Sequence, residues 1–586
     1  MPEPRPSDPD AKAAAPPWGG AALAWVAVAF AVGFANYPLQ VVGTAFDHLP
    51  GDVIDNRLNN FVLEHGYRWL RGDERSFWDA PSFHPRANVT ALSDAHVGML
   101  PCYAGLRAAG ASPEGAFQGH FVVATALNFV AAAWALRRLG FGPAAVAAGA
   151  YLFAFSLPVV AQTQHTQLLP RFFAPVAVVL AWEFLRDRRT AKFAAAAAAV
   201  AGQVYVSVYL GYFLALVLGT GFLAAVVRFP LAVARTWAAP AGWRAWLAWA
   251  AVPVVAAVAV APLVERHRRA SAGGTAAEHI RAGAPLPASW LTPPDVSCFH
   301  PSHPSSPLPR FDLPEGEHLM FPGVLPIVAV GVVSLLGFRP TAIGTPRGAA
   351  VVAAWATVAL AALVTRFGDV WPYQMLCTLP GVGGIRVPGR VCLLLPLLSG
   401  IAVAYLVDAA AGAARRFGRG PAALVAAGVL AAVLADQRLI PTDGNRAAWY
   451  DFRTPTAAVL ARQERIAGAV RGDPSVGFVY AFPSLATRDD GLRLERELLA
   501  LQVEAMRATQ DLGVPCVNGW TGYAPPGWHF FRNYRELATW VTAANGLPPE
   551  RLHGLAVVGE PGEPHAGDGA FEALMRQTFP PRPAAR

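Results

Sequence analysis

Two arginines bracket a tight turn in the segment GVGGIRVPGR (381–390). A guanidinium donates two parallel hydrogen bonds, which suits a phosphate, and the glycines let backbone N–H groups approach the same anion. Arg386 and Arg390 are therefore candidates for holding an anionic headgroup. A second basic run, Glu265-Arg266-His267-Arg268-Arg269, offers the same clamp through Arg266, Arg268 and Arg269, or a collar of cations at a helix end. The carboxylates that stand out lie in PGDVIDNRLNNFVLEHGYRWL (50–70). Asp52, Asp55 and Asn59 share one helical face, while Ile54, Leu58, Phe61, Val62 and Trp69 form an apolar stripe. A helix so built lies along a membrane surface and holds its acids above it. The same letters also read as an ordinary helix start, with Asp52 as the cap and Asp55 in the first turn against the helix dipole.

Three further groups carry polar chemistry. Asp94 and His96, in Ser-Asp-Ala-His, read either as a pair of metal ligands or as the cap and first turn of a short helix. A divalent metal is compatible with that pair but is not indicated by it, and no other cofactor is implied. His165 sits in the small loop QTQHTQ, and Glu317 and His318 stand at the mouth of an apolar segment in PEGEHLMFPG (314–323). The stretch NGWTGYAPPGW (518–528) carries Asn518, Trp520 and Tyr523; its aromatic, Gly- and Pro-rich composition suits a sugar-contacting loop, a membrane-facing loop or a rigid structural one.

The elements that must position these residues are mostly apolar. The chain has 586 residues, 54% hydrophobic and 15% charged, against about 25% charged in soluble domains. Apolar runs recur at 21–44, 116–137, 143–161, 168–185, 191–208, 210–228, 245–264, 319–337, 348–365, 390–410 and 420–436, which predicts about eleven transmembrane helices. Much of the net charge of +8 lies in short loops, so it is an orientation signal and not a nucleic-acid footprint. Loops holding Arg137 and Arg138, Arg186 to Lys192, Arg228 to Arg244, Arg339 and Arg347, and Arg415 to Arg419 alternate with short loops 162–167 and 208–211, which hold no Lys or Arg. The positive-inside pattern then puts the N-terminus in the cytoplasm and every chemically rich segment outside. Those segments are 45–115, 265–318, 366–389 and the tail.

Residues 1–20 are polar and Pro-rich and read as a disordered cytoplasmic N-terminus, 21–440 as the membrane domain, and 441–586 as an extracytoplasmic domain. In the tail, strands at 477–483 and 554–560 and helices at 491–511 and 533–545 predict a small soluble α/β fold. In 45–115, two short helices at 54–69 and 95–109 are expected at the membrane surface. Five cysteines show no metal-ligand spacing. A lipid-linked-sugar transporter or flippase would place polar groups through the membrane, whereas here they cluster at one face. A non-catalytic scaffold that binds the envelope would leave the Asp52–Asp55 region purely structural.

The segments GDVIDNRL (51–58), SDAHVGMLPCYAGLR (93–107), HLMFPG (318–323), IRVPGR (385–390) and VNGWTGYAPP (517–526), set in this topology, resemble the GT-C superfamily of membrane glycosyltransferases. More narrowly, the chain is similar to the bacterial YfhO-like and related uncharacterised membrane glycosyltransferases. The resemblance implies a GT-C-like fold in the bacterial cytoplasmic membrane. It implies transfer of a sugar from a polyprenyl-phosphate-linked donor to a glycan, lipid or protein acceptor on the outer face. An acidic residue of the first outer loop is the usual candidate base of that superfamily, and the matching positions are Asp52 and Asp55; Asp52, directly after Gly51 at the helix start, is the favoured one, with Asp55 one turn further in as its support. With that chemistry, Arg386, Arg390 and the 266–269 cluster, with His165 or His318, face the donor phosphate. Asn59, Asp94, His96, Asn518, Trp520 and Tyr523 are the candidate acceptor or sugar contacts. The chain lacks the adjacent Asp-Glu pair of the protein mannosyltransferases and the oligosaccharyltransferase signature, which weighs against a protein acceptor.

Overall fold

The computed structural model describes residues 19–238, 241–270, 277–301, 306–313, 317–379, 382–440, 452–482, 491–531 and 534–559. The expectation of a disordered N-terminus falls on residues outside these, apart from the last two positions, as does the end of the tail. Each expected apolar segment is helical. Among the described residues nine helices are long and apolar enough to cross a membrane, so this is a multi-pass membrane protein. The other two expected segments are shorter helices, Thr190–Val206 with 17 residues and Val324–Leu336 with 13. The first of these ends because Ser207 is extended before the next helix, Val208–Arg228, begins.

The centre of the bundle is the helix Pro143–Phe155, buried almost throughout, packed on Leu395–Ala414. The two backbones touch at a pair of glycines. A Cβ on Gly149 would lie 2.8 Å from the Gly400 carbonyl oxygen, and one on Gly400 would lie 2.9 Å from that of Gly149. Small residues at a crossing let membrane helices pack backbone to backbone. Below Phe155 the helix breaks at Ser156, and the freed N–H of Leu157 donates to the Gln437 side chain at 3.0 Å. A side-chain partner of this kind makes a helix break tolerable inside a bundle. The break turns the chain toward the 162–165 loop.

The polar segments meet at one end of the bundle. Strand His48–Pro50 pairs antiparallel with Arg453–Pro455, tying the first loop to the start of the tail. In the tail, Phe478–Phe482 and Leu555–Gly559 form a parallel pair flanked by the helices Thr456–Val470, Gly491–Leu512 and Tyr534–Val541. Its apolar core is shared: Val53, Leu58, Phe61, Phe83 and Leu92 of the first loop pack with Val479, Val503, Met506 and Cys516 of the tail.

That sharing changes the setting of the first-loop helix, Asp55–Arg71. The spacing predicts a helix with one face on the membrane, yet Asn56 to Gly66 are buried on every side, including the polar Asn56, Arg57, Asn59, Asn60, Glu64 and His65. The tail helix Gly491–Leu512 covers one flank, and the helices Leu100–Ala108 and Pro113–Arg138 cover another. Polar residues occupy its second face because that face meets protein, and their hydrogen bonds go to protein partners. The second short helix of this loop is Leu100–Ala108.

Candidate functional site

The site is assembled where the first-loop helix begins. Gly51 precedes it at φ +77°, a left-handed conformation that glycine adopts without strain. A Cβ there would fall 1.3 Å from the Asn56 side-chain nitrogen Nδ2 and 2.8 Å from the Thr163 carbonyl oxygen, so glycine is required twice over. Asp52 then accepts backbone N–H groups from Ile54 and Asn56 at 3.2 Å each, which is the capping role. Asn56 donates to the Thr163 carbonyl at 2.8 Å and accepts from the Thr166 N–H at 3.0 Å. This two-point clamp fixes the 162–166 loop against the helix start and brings His165 to Asp55.

Four ionisable side chains meet there. Nε2 of His165 lies 3.3 Å from Asp55 Oδ2 and 3.9 Å from Glu317 Oε1. An Arg390 guanidinium nitrogen lies 2.9 Å from the same Nε2. Arg390 also grips Glu317 with both Nε, at 3.3 Å, and a terminal nitrogen. The other Asp55 oxygen, Oδ1, accepts the indole N–H of Trp520 at 2.8 Å. The Asp55 side chain keeps 32% of its surface exposed, so the carboxylate is held yet reachable. Burial alone would raise the Asp55 pKa; the hydrogen bond and charge of His165, the Trp520 donor and the Arg390 charge outweigh it and hold it below the ordinary value. Burial likewise opposes ionisation of Glu317, but Arg390 and His165 bring its pKa down to about 2.

Arg386 lies beside this cluster. Its backbone N–H donates to the Tyr209 hydroxyl at 2.9 Å, and its guanidinium stands 5.1 Å over the Tyr523 ring. Tyr523 reaches back to the Gly384 carbonyl at 3.3 Å. The Tyr209 ring in turn lies 5.4 Å from the Arg390 guanidinium. Among the described residues no carboxylate pairs with Arg386, and its Nε is buried without a hydrogen-bond partner. Gly522 leaves room at this point, since a Cβ would stand 3.3 Å from the Arg386 guanidinium.

The structure thus brings together Asp55, His165, Arg386, Arg390, Trp520 and Tyr523. It places the other sequence candidates elsewhere. Asn59 is buried, donating to Thr166 and Gln167 at 3.1 and 2.7 Å and contacting His96 at 2.9 Å. Burial pushes the His96 pKa down to about 3, so the ring is a neutral core group. Asp94 caps a different helix from the expected one: it accepts from Ser207 Oγ at 2.9 Å and from the Val208 N–H at 3.1 Å. Asn518 is buried and bonds the Ala481 backbone from both ends of its amide, as a strand neighbour would. His318 is buried against Ser289 Oγ at 2.7 Å. Arg268 and Arg269 pair with Glu265 on the exposed helix end, and Arg266 lies over Trp78. None of these three contacts Arg386 or Arg390 among the described residues.

Glu317, Tyr209 and Asn56 were not legible as members of the site. The only sequence signal for Glu317 was its place at the mouth of an apolar segment. Among the described residues no group of three or more His, Cys, Asp or Glu side chains is placed to hold a metal ion. A cavity of about 510 Å³ lies deeper in the bundle, between walls that include Val178, Phe193, Val217, Phe222 and Ile401, with no titratable side chain in its lining. Val217 and Phe222 lie further along the helix that presents Tyr209 at its start.

No family model matches the sequence, and no curated protein matches it. Solved structures do resemble it. The arabinofuranosyltransferase AftD from Mycobacteria aligns with 79% of this chain at 14% identity and a TM-score of 0.43. The Archaeoglobus fulgidus oligosaccharyltransferase AglB, in complex with an inhibitory peptide and a dolichol-phosphate, aligns with 92% at 12% identity and a TM-score of 0.44. The apo form of the Archaeoglobus enzyme gives 12% identity and a TM-score of 0.43. The match spans 29% of the first of those chains and 64% of the other two.

Proposed function

We propose that this chain is a membrane glycosyltransferase that moves a sugar from a polyprenyl-phosphate-linked donor to an acceptor hydroxyl, with Asp55 as the general base and Arg386 and Arg390 on the donor phosphate. The observation that carries the reading is an ionised, partly exposed carboxylate joined through His165 to Arg390, with Arg386 and Arg390 both set against Tyr209, at the head of an apolar bundle. The acceptor oxygen attacks the anomeric carbon and its proton passes to Asp55. The bond between that carbon and the phosphate oxygen breaks with its electron pair on the phosphate, so the configuration inverts. Charge grows on the leaving oxygen, which is where a guanidinium lowers the barrier most. Arg386, with no carboxylate partner among the described residues, is the better placed of the two; Arg390 must first loosen its hold on Glu317.

In this reading the polar end faces outward, the N-terminus is cytoplasmic and the polyprenyl chain lies among the apolar spans. The acceptor is a glycan or lipid of the cell envelope. The test is incubation of the purified protein with a panel of radiolabelled polyprenyl-phosphate sugars. Release of polyprenyl phosphate from at least one donor is expected, and folded protein that turns over none of the panel overturns the proposal.

A further inference from the structure

Trp520 belongs to the tail, yet its indole N–H ends on the carboxylate in the first loop. The contact is 2.8 Å to Oδ1, and the other carboxylate oxygen, Oδ2, is the one that faces His165. A carboxylate held at one oxygen by a fixed donor has its plane set, and the second oxygen is then aimed. The donor itself is well fixed. Gly519 before it packs so tightly on the Phe83 ring that a Cβ would lie 2.3 Å from it. Asn518 is locked into the tail strand on both sides of its amide.

We propose that Trp520 is a positioning residue for Asp55, orienting the carboxylate so that its second oxygen, the one beside His165, meets the acceptor hydroxyl. This rests on the reading of Asp55 as the base, and it replaces a sugar-contacting role for the indole N–H. The groups facing Asp55 are His165 from the 162–165 loop, Arg390 from the turn before Leu395–Ala414, Glu317 from the segment before Val324–Leu336, and Trp520 from the tail. Only Trp520 is uncharged in every protonation state, so its contribution is a directed hydrogen bond that persists across the pH range.

The test uses the full-length protein and Trp520→Phe, which keeps the ring and removes the donor. Carbodiimide reacts with protonated carboxyls, so the pH dependence of labelling, read by mass spectrometry on the peptide carrying both Asp52 and Asp55, reports each acid without any need for turnover. The expected result is a labelling midpoint for Asp55 that moves to higher pH, with Asp52 unmoved. In the transfer assay kcat falls about tenfold to a hundredfold, the size of a hydrogen bond to a charged group, with the donor KM within about twofold. An unmoved Asp55 midpoint overturns the proposal, as does a raised KM with unchanged kcat, the signature of a substrate contact. If Trp520→Phe fails to fold, replacing the indole by its benzothiophene isostere removes the N–H at constant shape. Absence of transfer by the wild-type chain would sink the transferase reading and the acceptor with it, whereas the labelling experiment decides separately whether Trp520 holds the Asp55 carboxylate.

Discussion

Asp55 and Arg390 contact the same atom, Nε2 of His165, at 3.3 and 2.9 Å. Arginine can only donate, so at that contact Nε2 accepts and the ring proton sits on Nδ1. Asp55 is ionised and can only accept, so it needs a proton on Nε2. One nitrogen cannot serve both at once: it accepts from Arg390, or it carries the proton whose hydrogen bond and charge hold the Asp55 pKa down. An anion that draws Arg390 away leaves Nε2 free to carry a proton toward Asp55. His165→Ala removes a group that holds the Asp55 pKa down. A base works above its pKa and fails as pH falls through it. The acidic limb of the kcat/KM profile is therefore expected at higher pH in His165→Ala than in the wild type. A pH–rate series on both proteins measures this, and superimposable limbs count against the pairing.

The two acids of the first loop should separate cleanly. Asp52 accepts two backbone N–H groups at the helix start, and asparagine caps about as well as aspartate. Asp52→Asn is expected to retain near-normal transfer and thermal stability. Asp55→Asn cannot take the acceptor proton, and loss of a positioned base costs on the order of 10²–10⁴ in rate. Transfer assays with melting temperatures in parallel give the comparison; near-normal turnover by Asp55→Asn removes it from the mechanism.

The sequence spoke to this site unevenly, for physical reasons. Periodicity and length made the helices legible, because apolar spans and amphipathic stripes are local patterns. Arg386 stood out through the glycine turn beside it. The local pattern favours Asp52 over Asp55 as the base, from its place after Gly51, whereas the proposed base is Asp55: Asp52 accepts two backbone N–H groups, and the Asn56 clamp on a distant loop brings His165 to Asp55. Asn59 looks like a site residue on a helical wheel, and His96 through its pairing with Asp94, yet the two face each other in the interior, where the first-loop helix is buried on every side. Glu317 was hidden for the converse reason, since its partner Arg390 is remote in sequence.

Glu317 gives a prediction about stability. Its folded pKa, about 2, lies below the ordinary glutamate value. A depressed carboxylate contributes stability that is fully present above the unfolded pKa and is lost as pH falls through the folded one. Glu317→Gln lacks that contribution. The difference in melting temperature between wild type and variant is expected to be constant above about pH 5 and to shrink from about pH 4.5 toward pH 2. A difference independent of pH over that range contradicts the ion pair with Arg390.

Arg386→Lys keeps the charge and loses the planar fork. The backbone contact to Tyr209 survives the change, so the fold should hold. Donor kcat/KM is expected to fall about tenfold, the size of one charge-assisted hydrogen bond, with the loss in kcat because the charge grows in the transition state. A donor titration on the variant measures it, and unchanged kcat/KM reduces Arg386 to a partner of the Tyr523 ring.

Buried ion pairs join the tail to the first loop. Arg57 is fully buried, 3.4 Å from Glu114 and 3.6 Å from Glu504 of the tail helix. Arg507 of that helix reaches Glu114 at 3.6 Å and Asp511 at 3.4 Å. Arg57 is thus balanced by acids from both sides, and Glu504 has no hydrogen-bond donor of its own among the described residues. Removing one member of a buried ion pair strands the other, at a cost of about 3–5 kcal/mol, whereas replacing both by well-packed groups is often neutral. Arg57→Met alone should therefore lower the melting temperature markedly and open the tail to protease. Since the tail carries Trp520, transfer should fall with it. Burial already raises the Glu504 pKa against the pull of the nearby arginines; adding Glu504→Gln removes the stranded carboxyl, and the double variant is expected to recover most of the stability and protease resistance. If the double variant is as unstable as Arg57→Met, the loss is one of packing rather than of charge balance, and the ionic network is not what docks the tail.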